Sequence, residues 1–380
     1  MKTNARLILI MIFSLLVFNL NAEVKNENKP LNGQWDFQLQ KMWEVGNAGD
    51  DVLVRARIIQ VEDDAKGDGN VYVLDMKYFK FFVFSPQGEF LFSFGKRGEG
   101  PGELKFPFAF FIQGNHIIVP DQGRIHYFTK KGNFVKTVNP GFMFHPKTFI
   151  DENRFIMVQD REEEKSKFEE LEIYDIDTKE RAAIAEVTAE KALTASSDTG
   201  QGRMELKIKD ANTTPMVVIT THNSELYFGK NDHYLIKKID LKGNELLSFS
   251  LRERERKKIP MAYKKRRISN IKLNGQKMPE ELAKQLIKGM PDYCTYFSAV
   301  TIEENGLIYV YLNDITNETG EEIDIFSPQG KYLYHANIIL TDGFKPVSPL
   351  VIKGEYLYIF AEDDEGEGKL VKYKISKPTG

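Results

Sequence analysis

Short segments in which apolar and polar residues alternate recur along most of the chain, and this period predicts half-buried β-strands. The clearest set has strands at 71–75, 81–84 and 89–94, with the tight turn Ser-Pro-Gln-Gly at 85–88. The same tetrapeptide returns at 327–330 in a later set. Six such sets follow one another, so the pattern predicts an all-β fold made of repeated antiparallel units.

The repeat length and the two ends of the chain predict that these units form a closed ring. Gly88 and Gly132 lie ~44 residues apart, which is typical of one propeller blade. The last set lacks a fourth strand, whereas the alternating stretch at 35–45 supplies an extra strand before the first set. We therefore predict a six-bladed β-propeller of four-stranded antiparallel blades, in which the N-terminal strand closes the last blade.

The glycine-rich stretch FSFGKRGEGPGELKFP at 92–107 ends one strand and leads into the apolar run at 108–112. Its glycines and Pro101 interrupt regular structure, which predicts a connector between two blades. A phosphate-binding loop is the alternative, but no Gly-Lys-Ser/Thr follows at the required offset. The segment after it is aromatic and proline-bounded, so no helix N-terminus is predicted there to hold an anion.

The N-terminus has the organisation of an export signal. Lys2 and Arg6 precede an apolar run at 7–18, and Ala22 stands at the expected cleavage point. We predict a signal peptide at 1–22, a flexible segment at 23–34 and a propeller at 35–377, in a protein that is periplasmic or extracellular. An uncleaved N-terminal membrane anchor is the alternative. Cys294, the single cysteine, leaves no internal disulfide, and its aromatic surroundings predict a buried thiol.

Two insertions interrupt the repeats, at 188–213 and 252–291. The first is polar and is predicted to be a surface loop, whereas the second places eleven Lys or Arg between 252 and 277 against two Glu. Since the whole chain has a formal net charge of −3, the remainder is acidic. Pro279, early acids, Leu282 and Leu286 four residues apart, and Gly289 predict a short helix between blades 4 and 5.

The strand, turn and glycine pattern, clearest at 72–111 and 323–332, resembles the NHL-type repeat. It is similar to that of exported bacterial six-bladed β-propellers. The resemblance implies a propeller whose loops form a binding face around the channel. It does not imply one activity, because relatives include recognition modules as well as lyases and lactonases.

Polar residues follow an apolar strand at a similar place in each blade, and they are our candidate ligand-binding residues. The set is Asp75, Asp121, Asp160, Asn231, Asn313 and Asp363. Asp and Asn commonly cap turns, and this is the simpler interpretation. The alternative is a ring of carboxylates on one face that binds a cation or a basic ligand.

No catalytic set can be recognised, and no cofactor is predicted. The six histidines include no HxH or HExxH pair, although distant blades could still bring ligands together. A Ca²⁺ or Zn²⁺ ion at the channel mouth therefore stays open as an alternative. Whether the protein is an enzyme is undecided by the sequence, and the absence of an acid–base constellation favours binding.

The second insertion is either a solvated excursion or a cationic patch for an anionic surface. Its candidate residues are Arg252, Arg254, Arg256, Lys257, Lys258, Lys264, Lys265, Arg266 and Arg267. Three functions follow as hypotheses: a binding or scaffold module for a protein or glycan partner, a metal-dependent lyase- or lactonase-like enzyme, and adhesion to anionic surfaces. We expect a monomer, no nucleic-acid partner, and at most peripheral membrane contact.

Overall fold

The computed structural model describes residues 23–62, 69–141, 144–163, 166–188, 193–199, 202–208, 213–273, 275–317, 320–340 and 343–376. The proposed signal peptide at 1–22 lies outside these residues. The chain begins with five strands: β1 (Val24–Asn26), β2 (Gln34–Asp36), β3 (Leu39–Val45), β4 (Asn47–Ala48) and β5 (Asp51–Val52).

Six antiparallel sheets form the blades of a propeller, as the alternation predicts. Blade 1 contains β6 (Ala56–Val61), β7 (Val71–Asp75), β8 (Lys80–Phe84) and β9 (Phe90–Phe94). Blade 2 contains β10 (Phe111–Gln113), β11 (His116–Asp121), β12 (Arg124–Thr129) and β13 (Phe134–Val138). Blade 3 contains β14 (Thr148–Phe149), β15 (Arg154–Glu163), β16 (Ser166–Asp175) and β17 (Arg181–Thr188).

The second half of the ring carries the insertions. The first insertion forms the hairpin β18 (Leu193–Thr199) and β19 (Gly202–Ile208). Blade 4 contains β20 (Val217–His222), β21 (Glu225–Lys230), β22 (Leu235–Ile239) and β23 (Glu245–Leu251). The second insertion contains α1 (Met261–Ser269), β24 (Lys272–Leu273), β25 (Gln276–Lys277) and α2 (Glu280–Gly289).

The last two blades complete the ring. Blade 5 contains β26 (Phe297–Ile302), β27 (Ile308–Leu312), β28 (Gly320–Phe326) and β29 (Tyr332–Ile339). Blade 6 contains the short strands β30 (Lys345–Pro346) and β31 (Val351–Lys353), then β32 (Tyr356–Glu362) and β33 (Gly368–Ile375). Strand β3 pairs with β33 in antiparallel register, for example Val45 with Leu370, so the N-terminal segment closes the ring as predicted.

The N-terminal segment is more ordered than we expected. The segment 23–34 was expected to be flexible, but β1 adds to β23 as a parallel fifth strand of blade 4. Trp35, expected within the closing strand, lies in β2, which adds in parallel to β29 of blade 5. The side-chain amide of Asn26 explains the first contact, because it donates to the carbonyls of Ser250 (3.1 Å) and Gly330 (2.8 Å). Blades 4 and 5 therefore have five strands instead of four.

The insertions also depart from expectation. The first was predicted to be a loop, but it contains the β18–β19 hairpin. The second contains two helices, of which α2 was predicted and α1 was not. Ala195 of the hairpin and Ile268, Leu282, Leu286 and Met290 of the second insertion form one buried apolar cluster. We call the unit formed by the β18–β19 hairpin and by α1, β24, β25 and α2 the head.

The blades are held together by aromatic side chains between neighbouring sheets. At the junction of blades 1 and 2, the rings of Phe81 and Phe94, which stack at 4.6 Å within blade 1, lie 6.4 and 5.2 Å from that of Phe128 in blade 2. All the side chains of 71–75 and 81–84 are buried, which explains their nearly continuous apolar sequence. None of the helices in the described part of the chain is long and apolar enough to cross a membrane.

Candidate functional site

One end of the sheets carries both the blade-to-blade connectors and the turns between the second and third strands of each blade. We call it the connector face; the opposite face carries the remaining turns. Because strands alternate in direction, both insertions lie at this face: the first joins β17 to β20 and the second joins β23 to β26. The long hairpin formed by β15 and β16 also points to this end.

Asp75 shows what the predicted polar positions do at this face. Its Oδ2 accepts hydrogen bonds from the backbone N–H groups of Val54 and Arg55, both at 2.9 Å. Its Oδ1 accepts from the N–H groups of Lys77 (2.7 Å) and Tyr78 (3.3 Å). The buried carboxylate therefore fastens the incoming connector to the turn after β7.

Asp121 does the same in blade 2 and is strongly stabilised as an anion. It accepts from the backbone N–H groups of Lys105 and Phe106 and from the Arg124 guanidinium, and His126 Nε2 lies 3.4 Å away. Burial alone would raise the pKa of Asp121, but the contacts with His126, the two N–H groups and Arg124 outweigh it and hold the pKa at about 2.

The other four candidates divide between two environments. Asn231 accepts from the N–H of Met216 and donates to the carbonyl of Phe297, and Asn313 donates to the Thr295 hydroxyl. Asp363 accepts from two N–H groups of its own exposed turn. Asp160 differs, because it is exposed inside β15 and pairs with Glu169 across the hairpin.

Five of the six positions thus stand at equivalent turns, with oxygens or amides engaged by neighbouring groups. This geometry favours the capping interpretation, and ligand binding by the set stays a prediction. In the described residues, no group of three or more His, Cys, Asp or Glu side chains is arranged to hold a metal ion.

The nine basic residues of the second insertion do not form one uniform patch. Arg252 lies 3.6 Å from Glu27, Arg254 lies 3.3 Å from Asp324, Lys257 lies 2.8 Å from Glu322, and Lys264 is buried 3.0 Å from Asp292. Arg256, Lys258, Lys265, Arg266 and Arg267 are exposed. The sequence alone could not separate the paired cations from the exposed ones, because the four carboxylate partners come from distant segments or from the end of the insertion.

The second insertion joins the propeller through a short paired neck. Lys257 and Ile259 exchange backbone hydrogen bonds with Cys294 and Asp292, at 2.9 and 2.8 Å, and Lys258 pairs with Tyr293. Cys294 is buried in the neck, as predicted. The neck therefore fixes Lys257, and with it the segment 254–257, beside the stretch that leads into blade 5.

Beside the neck is a polar cavity of about 240 Å³, which we call the neck pocket. Its lining includes Arg254, Arg256, Lys257, Tyr296, Asn313, Glu322 and His335. Three of these belong to the predicted basic patch and one to the predicted polar set. Sequence reasoning missed Tyr296, Glu322 and His335, because Tyr296 precedes β26 and the other two lie on adjacent strands of blade 5, so no local motif links them.

A buried carboxylate forms the floor of this region. Asp324 is fully buried and accepts hydrogen bonds from the hydroxyls of Tyr234 and Tyr332, both at 2.8 Å. Nδ1 of His335 lies 3.0 Å from its Oδ1, and the Arg254 guanidinium lies 3.3 Å from the same oxygen. Burial and the Asp324 charge raise the pKa of Tyr234 well above its ordinary value. Asp324 therefore orients Arg254 and His335 from below.

Comparison with protein families decides the classification. The family model described as 6-bladed beta-propeller (DUF5128) matches residues 50–297. The chain belongs to this family. Comparison with curated proteins gives no match.

Solved structures support the fold of this family member. A Bacteroides fragilis protein described as a candidate exported protein is 16% identical and superposes with a TM-score of 0.55. The match covers 94% of this chain and 100% of that one. A DUF4221 family member from Bacteroides vulgatus is 12% identical with a TM-score of 0.54, covering 90% and 99% of the two chains. At these identities the likeness shows the fold.

A second, largely apolar cavity of about 550 Å³ lies between blades 3 and 4 of this propeller. At three other junctions a turn glycine packs on a ring of the preceding blade, in the pairs Gly88 with Trp43, Gly132 with Phe94, and Gly330 with Phe249. The corresponding Gly243 instead meets the backbone carbonyl of Ile184. The cavity exists where that ring is missing.

Proposed function

We propose that the protein is an exported binding module that engages a protein or glycan partner through its connector face. The observation that carries this proposal is the concentration of irregular structure at that face. Both insertions, the long β15–β16 hairpin and the neck pocket belong to it. In the described residues, the strands and helices of the head belong to the connector face, and none of them arises from a turn of the opposite face.

Exposed apolar side chains at the connector face also support the proposal that it binds a partner. Val52 and Val54 in the connector before blade 1, and Phe106 and Phe108 in the connector before blade 2, are 53%, 38%, 53% and 38% exposed. Leu31 (69% exposed) lies beside Tyr332, next to the opposite-face turn at 327–331, so the argument rests on the two apolar pairs in neighbouring connectors. Solvent-exposed apolar side chains of this kind are typical of interaction surfaces.

Site-directed photo-crosslinking tests the proposal. Phe106→Cys and Phe108→Cys place a thiol on the connector face, and Gln87→Cys and Gln329→Cys place one in exposed turns of the opposite face. Because Cys294 is buried, benzophenone-maleimide should label the introduced thiols. We expect illumination with the solubilised envelope of the source organism to give adducts from the first pair. Equal adducts from both faces, or adducts confined to the second pair, would contradict the proposal.

A second candidate function, adhesion to an anionic surface, is favoured by one observation on the head and neck. The exposed cations Arg256, Lys258, Lys265 and Arg266 accompany Tyr293 and Met261, which are 46% and 53% exposed. Cations beside exposed apolar side chains are typical of peripheral membrane contacts. The expected result is sedimentation with phosphatidylglycerol vesicles that salt reverses. Retained binding in Lys258→Gln/Lys265→Gln/Arg266→Gln would reject this candidate.

A further inference from the structure

Two of the three basic side chains that line the neck pocket are already paired with carboxylates, and the third, Arg256, lies over the rings of Tyr293 and Tyr296. Lys257 Nζ lies 2.8 Å from Glu322 Oε1 and 3.5 Å from Asp314, and Arg254 lies 3.3 Å from Asp324. Glu322 holds the pKa of Lys257 above its ordinary value, so the pair stays ionic. A ligand with a net charge would have to compete with these internal partners.

The same side chains retain capacity for further hydrogen bonds. A guanidinium has five N–H donors and a carboxylate about four acceptor positions, so the ion pairs of Arg254 and Glu322 leave several of them unused, whereas Lys257, which contacts both Glu322 and Asp314, keeps one of its three donors. Hydroxyl groups both donate and accept, and can therefore bind cationic and anionic side chains without separating a pair. This favours a neutral, hydroxyl-rich ligand over an anion.

The pocket is also built in advance. The buried carboxylate of Asp324 contacts both Arg254 and His335 and so fixes their positions. The ring of Tyr296 is held from two sides, by Tyr234 at 5.9 Å and by the Arg256 guanidinium at 5.4 Å. Fixed polar groups and an aromatic wall lower the entropy cost of binding a small ligand.

We propose that the neck pocket binds one sugar residue of a glycan. Glu322 and Lys257 would bind its hydroxyl groups, and Tyr296 would contact its carbon-bound hydrogens. Since the neck pocket lies at the connector face, this inference rests on the proposed function and specifies its partner class. The two can fail separately, because crosslinking detects any partner of that face whereas the experiment below detects sugars alone.

Saturation-transfer NMR with the full mature chain tests the site. The probes are glucose, galactose, mannose and N-acetylglucosamine, with glucuronic acid and inorganic phosphate as charged probes. We expect at least one neutral sugar to bind with a millimolar dissociation constant, as is usual for a single sugar ring with few contacts. Glu322→Gln and Lys257→Met should each weaken that binding about tenfold or more.

Glu225→Gln is the matched control, because Glu225 forms a similar pair with Lys238 at 2.6 Å beside a turn of the opposite face. This variant should bind the sugar like the unmodified protein, and thermal unfolding should show all three variants folded. Three results would overturn the proposal: no binding of any neutral sugar, binding that Glu322→Gln and Lys257→Met leave unchanged, or binding restricted to glucuronic acid and phosphate.

Discussion

The carboxylate of Asp75 accepts four backbone hydrogen bonds from two separate segments, whereas Asp160 is exposed within a hairpin. The sequence placed both in one candidate set, because each follows an apolar run. Their different environments depend on where the β15–β16 hairpin ends, which local periodicity does not determine. The pairing of the two strands continues to Glu163 with Ser166 and carries Asp160 away from the turn.

Asp75→Ala should lower the free energy of unfolding by about 3 kcal/mol, because it leaves buried N–H groups without acceptors. Asp160→Ala is the matched control and should change it by no more than about 0.5 kcal/mol. Urea unfolding measures both. Equal effects of the two substitutions would show that Asp75 does not fasten the connector.

The environment of Glu321 in β28 leads us to predict that the stability of the folded protein depends on pH. Burial, followed by the nearby Asp314 charge, raises the pKa of Glu321 from 4.5 to about 7. A carboxyl whose pKa is raised on folding costs stability as pH rises from about 4.5 to 7, because the unfolded chain ionises first. The folded protein should therefore lose stability across this window.

Glu321→Gln removes that loss. We expect this variant to be more stable than the unmodified protein by about 2 kcal/mol near pH 8, and little changed near pH 4. Thermal unfolding across this pH range measures the difference. A variant that is destabilised at the higher pH would contradict the burial of an uncompensated carboxyl.

Among the larger elements, the head illustrates what sequence could and could not predict. Helix α2 was predictable from Pro279, the four-residue spacing of Leu282 and Leu286, and Gly289, and the structure confirms it. The hairpin of the first insertion was not, because its apolar contacts come from the second insertion. The same limit applies to the neck pocket, whose lining converges from the neck, from Asn28 of the N-terminal segment and from three strands of blade 5, β27, β28 and β29.

The head should unfold independently of the propeller when its core is damaged. Leu282 is fully buried, and Leu282→Ala should remove about 3 kcal/mol of packing from this small cluster. Hydrogen exchange should then accelerate at 261–289 while β27 of blade 5 keeps its protection. Lys284→Ala, exposed on the same helix, serves as the control. Equal acceleration in the blades would show that head and propeller form one cooperative unit.

Considered as a whole, the molecule is a ring whose N-terminal segment contacts three blades in succession. Strand β1 adds to blade 4, β2 to blade 5, and β3 completes blade 6. The ring and its closure were predictable from the repeat and from the missing fourth strand. The two parallel additions were not, because three-residue strands such as Val24–Asn26 give no periodic signal. The NHL-like character of the repeats stays a prediction.

Two truncations of the mature chain test ring closure directly. Removal of 23–32 deletes β1 alone, whereas removal of 23–45 also deletes β2 and β3, leaving β33 without its outer partner. The first truncation should retain a single cooperative thermal transition at a modestly lower temperature. The second should lose that transition, because blade 6 then lacks the fourth strand that the N-terminal segment supplies before it enters blade 1. If the second truncation melts like the first, the N-terminal strand does not close the propeller.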